Sequence, residues 1–384
     1  MPLTGSDDGQ RMAASRIYID LTDLVYHAIW HSRCGGIARV QIEVGAALVR
    51  SYPNAVPFSV NDGIWRDLRS LVLESGDVAD RLFPRPKQFR PYPGVYPSFL
   101  QPVRTAKLLK ARLGALYERL RSRAPRLTAA DTLFVGGEFW TSPISISLCK
   151  CAANQGVNLI VLIHDLIPIT NPQFTGHDFA EEFIEILKLP AHFIVTTRFS
   201  MNELERTSRE NGIRMVGPVS IVPLADEFPG SRRNESALLP PKGAGRLDDR
   251  PFVLCVGTVA ARKNHEMLLS VWEELETELG DGLPTLVVAG ARGWKAEVTL
   301  RRLDDLARSN SRIIYEEAPS EDVLRWLYSA CLFTVFPSVL EGWGLPVGES
   351  LWFGKACAAS NSSSIPVVGR DLCLYFFVPT TRSK

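Results

Sequence analysis

Residues 336–366 constrain the fold most strongly, and they read FPSVLEGWGLPVGESLWFGKACAASNSSSIP. An apolar run typical of a strand ends at Pro337, and a glycine-rich turn follows at 342–344. Pro346 then marks a helix start, because proline is favoured in the first helical turn. Strand, glycine turn and helix N-terminus direct backbone N–H groups toward one point above the strand end. The segment therefore predicts an α/β unit with a site for an anion or a polyhydroxyl ligand.

Two carboxylates frame this turn, with Glu341 before it and Glu349 eight positions later in the helix. Surface helices are rich in Glu, so a pair of solvated carboxylates is the simplest alternative. Within EGWGLPVGES, however, the pair resembles the donor-sugar site of retaining GT-B glycosyltransferases of family 4, also called glycosyl transferases group 1. The resemblance implies that Glu349 contacts the nucleotide ribose. It also implies donor-sugar contacts from Glu341 and from the amides of Gly342, Trp343, Gly344 and Leu345.

Apolar strand candidates alternate with helix candidates along the whole chain. This alternation predicts doubly wound parallel sheets, and a length of 384 residues favours two domains. The resemblance adds a GT-B architecture, in which two Rossmann-like domains face a cleft. We predict a disordered leader at 1–15, an acceptor-side domain at 16–225, a linker at 226–250 and a nucleotide-sugar-binding domain at 251–384.

A second candidate site element lies at the start of the C-terminal half. Gly257 follows the apolar run 252–256, and the adjacent cations Arg262 and Lys263 precede a helix predicted over 265–279. Cations at a helix N-terminus oppose the helix dipole, which is understandable if an anion binds there. The segment resembles the G-T-x-x-x-R-K-N motif of the family. That resemblance implies that Arg262 and Lys263 neutralise the donor diphosphate.

Two further candidates lie in the N-terminal half. His164 ends a strand candidate at 157–163, a position where open α/β sheets bind ligands. The segment His164-Asp-Leu-Ile-Pro resembles the HD-x-x-P segment of mannosyl- and related transferases, which implies that His164 lines the sugar-facing wall. Gly35 and Gly36 precede a helix candidate at 39–50, and they predict either an acceptor-side or phosphate-side loop or a plain tight turn.

Composition excludes several classes of protein. The net charge of +1 provides no global field for nucleic acid, and no apolar run reaches membrane-spanning length. Seven cysteines lack a paired C-x-x-C set, so we expect reduced thiols and no metal site. The first residues lack a signal-peptide pattern, which favours a cytoplasmic protein, with the inner face of the cell membrane as the alternative.

A basic segment at 104–126 is the basis for that alternative. An apolar stripe at helical spacing accompanies eight basic residues and a single acidic one. Association with an anionic membrane or a lipid-diphosphate acceptor is one interpretation, and a solvated face of a packed helix is the other. The basic residues are Arg104, Lys107, Lys110, Arg112, Arg119, Arg121, Arg123 and Arg126.

Two features depart from the family pattern. Residues 366–369 read PVVG where the family has P-E-V-G, and the chain stops soon after the last predicted strand. We therefore expect a C-terminal truncation relative to the family. A catalytically silent relative that acts as a binding or regulatory partner remains an alternative. A dehydrogenase is disfavoured, because no G-x-G-x-x-G follows the first strand.

The resemblance implies a retaining hexosyltransferase that uses a nucleoside-diphosphate sugar and needs no metal or further cofactor. The variants HDLIP and EGWGLPVGES favour GDP-mannose as the donor. The expected acceptor is a glycan or a lipid-linked diphosphate in bacterial surface polysaccharide synthesis, including lipopolysaccharide. Stabilisation of the departing diphosphate by Arg262 and Lys263 is the expected main catalytic effect, with Glu341 and His164 facing the sugar.

Overall fold

The structure is a computed structural model of the chain. It describes residues 15–25, 35–61, 63–73, 126–175, 178–228, 230–233, 240, 247, 250–309 and 312–378. Residues 1–14 of the predicted leader at 1–15, the basic segment up to residue 125 and most of the 226–250 linker lie outside the described residues.

The first sheet has seven strands in the order β3-β2-β1-β4-β5-β6-β7. The pairs recorded for β1, β2, β4 and β5, and for β6 and β7, are parallel, whereas β3 pairs with β2 in an antiparallel hairpin. The strands are β1 (Ile17–Asp20), β2 (Ala55–Asn61), β3 (Ile64–Asp67), β4 (Thr132–Val135), β5 (Asn158–Ile163), β6 (Ala191–Val195) and β7 (Val219–Ile221).

Helices connect the parallel strands of this sheet, as doubly wound folds require. The described helices are α1 (Gly36–Ser51), α2 (Arg69–Leu73), α3 (Pro143–Asn154), α4 (Ile167–Thr170), α5 (Ala180–Leu187) and α6 (Arg198–Glu210). Short 3-10 helices occur at Phe139–Thr141 and Pro172–Phe174.

The second sheet has six parallel strands in the order β10-β9-β8-β11-β12-β13. The strands are β8 (Phe252–Val256), β9 (Thr285–Gly290), β10 (Ile313–Glu317), β11 (Thr334–Phe336), β12 (Cys357–Ser360) and β13 (Cys373–Phe376). The helices are α7 (His265–Leu279), α8 (Glu297–Ser309), α9 (Glu321–Ala330), α10 (Leu345–Trp352) and α11 (Ile365–Gly369), with 3-10 turns at Ala261–Lys263 and Gly280–Gly282.

Hydrophobic clusters cover both faces of the second sheet, because residues of one strand point alternately to opposite faces. In β8, Val253 and Cys255 pack with Leu269 and Trp272 of α7, whereas Leu254 packs in a different cluster with Tyr328 of α9. A third cluster joins the end of β11 to α10 and α11. Burial on both faces explains why these strands have nearly continuous apolar sequences.

By internal contacts the chain divides into two compact units, residues 1–30 with 38–161 and residues 31–37 with 162–384. The boundary between them falls within β5. The predicted domain division around 226–250 stays a prediction. Among the helices that the structure describes, none is long and apolar enough to cross a bilayer.

The strand predicted at 252–256 and the helix predicted over 265–279 are observed with these bounds as β8 and α7. Relative to the candidates at 157–163 and 39–50, β5 begins one residue later and α1 three residues earlier. The four-residue strand β3, too short to show a periodic pattern, adds an antiparallel hairpin at one edge of the first sheet. Ser320 caps α9, and its side chain accepts the amide of Val323. Thr197 caps α6, and its side chain accepts the amide of Ser200.

Candidate functional site

The connection from β11 to α10 forms the centre of the site. Gly342 packs tightly, since an ideal Cβ there would lie 2.0 Å from the backbone oxygen of His164. Gly344 precedes α10 with φ of 111°, a conformation that favours glycine. The glycine turn therefore brings the N-terminus of α10, where Leu345 carries the first amide, close to the end of β5.

Glu341 lies at the start of this turn and is 6% exposed. Its Oε1 atom lies 2.7 Å from Nη1 of Arg262 and 2.5 Å from Nζ of Lys263. The hydroxyl of Ser338 donates to the same oxygen at 2.6 Å. One buried carboxylate oxygen thus has two cations and a hydroxyl as partners.

These contacts determine the charge of the cluster. Burial raises the pKa of Glu341, but the charges of Arg262 and Lys263 and the hydrogen bonds from Lys263 and Ser338 outweigh it, and they lower the pKa from 4.5 to about 2. Burial lowers the pKa of Lys263, and the charge of Glu341 offsets part of this effect. The carboxylate is therefore ionised at neutral pH and compensates part of the positive charge beside it.

The turn that carries the two cations docks directly on the same loop. Arg262 accepts the amide of Val339 through its carbonyl oxygen at 2.8 Å, and its Nη1 donates to the carbonyl of Leu340 at 3.0 Å. Asn264 ends the 3-10 turn in the left-handed conformation, and its amide group donates to the carbonyl of Pro337. The cations are therefore held in place by the backbone as well as by Glu341.

Serines at 360–363 hold the loop from the opposite side, although sequence analysis did not assign them to the site. Ser363 accepts the backbone amide of Glu341 at 2.8 Å, and Ser362 donates to the carbonyl of Val339 at 2.6 Å. Ser360 donates to the carbonyl of Ser338 at 2.5 Å. The serine run was a visible signal, but its partners lie some twenty positions earlier in the chain.

Glu349 lies in α10 and is 3% exposed. The phenolic hydroxyl of Tyr328 in α9 donates to its Oε2 atom at 2.6 Å. Sequence analysis did not identify Tyr328, because a single tyrosine outside any motif is indistinguishable from an ordinary core residue.

His164 lies at the C-terminal end of β5, is buried, and contacts Gly342 through its backbone. Its neighbour Asp165 is also buried, and burial raises the pKa of Asp165 while the charge of Arg262 opposes the increase. Asp165 belongs to the electrostatic environment of the cluster, although only His164 was singled out from the sequence.

The remaining predicted residues have different environments. The indole of Trp343 packs in the hydrophobic cluster with Phe336. The predicted donor contact of Trp343 is made by its backbone amide, and it stays a prediction. Gly257 directly follows β8, and its amide donates to the carbonyl of Ala289. Gly35 is exposed, and an ideal Cβ on Gly36, the first residue of α1, would lie 3.4 Å from Cδ1 of Leu345.

The arrangement suits a ligand that carries both phosphate and hydroxyl groups. Guanidinium and ammonium groups and helix N-terminal amides bind phosphate oxygens, and buried carboxylates accept hydrogen bonds from hydroxyls. Across the described residues, no group of three or more His, Cys, Asp or Glu side chains is placed to hold a metal ion. Metal-independent chemistry stays a prediction.

Comparison with known families places this site in context. Residues 241–380 match the family described as "Glycosyl transferases group 1". The matched range includes Arg262, Lys263, Glu341 and Glu349, whereas His164, Gly35 and Gly36 lie outside it.

Two curated relatives come from Escherichia coli. The chain is 28% identical over 246 residues to the "Serotype-specific mannosyltransferase WbdA". This alignment covers 62% of the chain and 30% of the relative. It is 29% identical over 216 residues to "O-antigen chain mannosyltransferase B", which covers 55% of each chain. The chain thus spans only about a third to a half of the length of these mannosyltransferases.

Solved structures support the fold. Sucrose-phosphate synthase from Thermosynechococcus elongatus aligns with a TM-score of 0.58 at 15% identity, covering 94% of this chain and 86% of that one. Anabaena Alr3699/HepE in complex with UDP and glucose aligns with a TM-score of 0.54 at 12% identity, covering 91% and 82%. The predicted α/β fold of the GT-B type, with two Rossmann-like sheets, is confirmed.

Proposed function

We propose that this protein is a retaining glycosyltransferase that transfers a hexose from a nucleoside-diphosphate sugar to a hydroxyl acceptor. The observation that carries the proposal is the buried cluster of Glu341, Arg262 and Lys263 beside the N-terminus of α10. Burying charged groups is costly, and a protein that needed only stability would gain little from this arrangement. A cation pair that meets a diphosphate and a carboxylate that meets a sugar explain the cost.

The proposed reaction breaks the bond between the anomeric carbon and the diphosphate oxygen, and a bond to the acceptor oxygen forms on the same face. The acceptor proton passes to the departing diphosphate. Arg262 and Lys263 stabilise the negative charge that develops on that leaving group, which is where electrostatic catalysis is most effective. Glu341 and His164 contact the sugar, and Glu349 contacts the ribose. No divalent metal is required in this proposal, because the two cations supply the positive charge.

Mannose from GDP-mannose is the proposed donor. The support is the similarity to two Escherichia coli mannosyltransferases, one of them an O-antigen chain enzyme by name. The proposed acceptor is a growing glycan or a lipid-linked diphosphate of a bacterial surface polysaccharide. The proposed location is cytoplasmic, at the inner face of the membrane where such acceptors are exposed.

The donor proposal is tested by thermal unfolding with GDP, UDP, ADP or NAD. A ligand that binds only the folded state raises the unfolding midpoint. At a ligand concentration of a hundred times the Kd, the added stability is about 2.7 kcal/mol. We expect GDP to give the largest increase and NAD to give none. If only UDP or only ADP raises the unfolding midpoint, the proposed donor becomes a sugar linked to that nucleoside diphosphate and not to GDP.

The transfer itself is tested with GDP-mannose and a mannosylated lipid or oligosaccharide primer, with and without EDTA. We expect Glu341→Ala to abolish transfer, whereas Asp305→Ala, which removes an exposed side chain of α8 paired with Arg308, leaves it unchanged. Nucleotide binding without transfer by the wild-type protein on any primer would favour the silent relative. Loss of transfer in EDTA would contradict the metal-independent mechanism.

A further inference from the structure

Glu349 has a buried partner that the proposed function does not use. The hydroxyl of Tyr328 donates to its Oε2 atom at 2.6 Å, a short distance typical of a strong hydrogen bond to a carboxylate. Glu349 belongs to α10, whereas Tyr328 belongs to α9, so the bond joins two helices.

Packing holds the ring of Tyr328 in one place. The side chain is fully buried, and its ring stacks on Phe353 with a centroid distance of 5.5 Å and an interplanar angle of 4°. The edge of a third ring, Phe228, meets Tyr328 at 6.0 Å. Phe353 directly follows α10, so the ring is held against the same helix that carries Glu349. The hydroxyl is consequently a fixed donor.

A fixed donor restricts a flexible acceptor. A glutamate has three side-chain torsions, and a hydrogen bond from an immobile hydroxyl selects the few rotamers that satisfy it. A carboxyl group has two oxygens with several acceptor positions, so this bond is compatible with further donors on the same group. The hydroxyls of a ribose are donors of this kind.

We propose that Tyr328 is a positioning residue that orients Glu349 toward the ribose of the donor nucleotide. The inference rests on the proposed function and goes beyond it, since it assigns a role to a residue that touches no substrate. A phenylalanine would fill the same volume without a polar atom to bury, so the hydroxyl is explained by its bond to Glu349. Preorganisation of this kind lowers the cost of binding, because the acceptor is already ordered.

The test measures how strongly the protein distinguishes a ribose from its dideoxy counterpart. Calorimetric titration measures the Kd of GDP and the Kd of 2′,3′-dideoxy-GDP. If the thermal panel selects another nucleotide, its diphosphate and dideoxy diphosphate replace this pair. The quantity compared is the Kd of the dideoxy compound divided by the Kd of the ribose compound. We expect Tyr328→Phe to reduce this ratio by about tenfold through weaker binding of GDP, with dideoxy-GDP unaffected. In a Glu349→Gln background, Tyr328→Phe should have no further effect on the ratio.

Tyr375→Phe is the matched control, since it removes a tyrosine hydroxyl that interacts with the thiol of Cys373 and not with Glu349. It should leave the ratio at the wild-type value. An unchanged ratio in Tyr328→Phe, or equal weakening of both ligands, would overturn the inference and leave Tyr328 a structural residue. If the wild-type protein binds no nucleoside diphosphate at all, the proposed function fails and the inference fails with it.

Discussion

A single carboxylate, Glu341, organises the charged cluster, and the two cations come from a segment nearly eighty positions earlier. Glu341 is buried and Lys263 is nearly so, whereas Arg262 is partly exposed. The charge of a buried group depends on its partners far more than the charge of an exposed group does. The functional cations therefore have their own structural requirement. Without a bound ligand, Glu341 is the counter-ion that the described contacts provide.

Glu341→Gln should destabilise the folded protein by about 3 kcal/mol at neutral pH, because it removes the buried carboxylate that compensates the nearly buried Lys263 and the partly exposed Arg262. Asp305→Asn, which breaks an exposed pair with Arg308, should cost about 0.5 kcal/mol or less. Denaturant unfolding at pH 7 measures both effects. Equal effects of the two substitutions would contradict the importance of burial.

Unfolding of the wild-type protein and of Glu341→Gln at several pH values tests the pH dependence of the cluster. The pKa of Glu341 is about 2 in the folded protein, below its ordinary value of 4.5. The stabilisation is therefore fully present above pH 4.5 and is lost as the pH falls toward about 2. The difference in stability between wild type and Glu341→Gln should shrink between pH 5 and pH 3. A constant difference over this range would show that Glu341 titrates normally.

Asp23 has the opposite behaviour. Burial and the charge of Asp20 raise its pKa from 3.8 to about 6, although Gln41 and the amide of Glu138 donate to it at 2.8 and 2.7 Å. The folded protein holds this proton more tightly than the unfolded chain does. Its contribution to stability is thus fully present below pH 3.8 and is lost as the pH rises through about 6.

Unfolding experiments on wild type and Asp23→Asn between pH 4 and 7.5 test this expectation. Relative to the variant, the wild-type protein should lose about 3 kcal/mol of stability across the range, since one pKa unit corresponds to about 1.4 kcal/mol. Parallel curves for the two proteins would mean that Asp23 is not perturbed.

At the scale of elements, α9 links the hydrophobic core to the site. Its buried face includes Trp326 and Leu327 in the core, and the same helix carries Tyr328, which bonds to Glu349. The N-terminus of α9 is capped by Ser320, whose side chain accepts the amide of Val323. Accurate placement of Tyr328 thus depends on how firmly this helix is held.

Ser320→Ala should cost about 1 kcal/mol of stability, because the amide of Val323 loses its partner. Ser320→Asp should retain most of the stability, since aspartate caps equally well and also interacts favourably with the helix dipole. Thermal and denaturant unfolding of the three proteins measure the difference. A loss in Ser320→Asp as large as in the alanine variant would contradict a capping role.

At the scale of the whole molecule, the charge is nearly balanced, but the sequence places eight basic residues and one acidic residue between 104 and 126. An excess of positive charge of this size attracts anionic surfaces. Salt screens the attraction, with a screening length of about 10 Å at 0.1 M ionic strength. Membrane association through this segment stays a prediction, because nearly all of it lies outside the described residues.

Sedimentation with vesicles tests it directly. The protein should pellet with vesicles rich in anionic lipid at low salt and remain in the supernatant at high salt or with neutral lipid. A variant with Arg119, Arg121 and Arg123 changed to Gln should pellet less at low salt. Failure of the wild-type protein to pellet with anionic vesicles at low salt would end the membrane hypothesis.

Sequence alone determined the local elements and the residues that the site brings together. Strand, glycine turn and helix start at 336–352, and the Arg262-Lys263 pair before α7, are patterns within short windows. Hydrophobic periodicity and turn chemistry act over those same distances, which is why β8 and α7 were predicted at their observed bounds. The roles assigned to these residues stay predictions.

Only the tertiary structure decided the partners. Nothing near Glu341 in sequence indicates that one oxygen meets Arg262, Lys263 and Ser338 together, and nothing in α9 marks Tyr328 as the donor to Glu349. These contacts join segments far apart in the chain, and the burial that shifts their pKa values exists only once the sheets and helices pack. The sequence therefore indicated which residues belong to the site, but not the contacts among them. The physical reason is that these contacts form only through long-range packing.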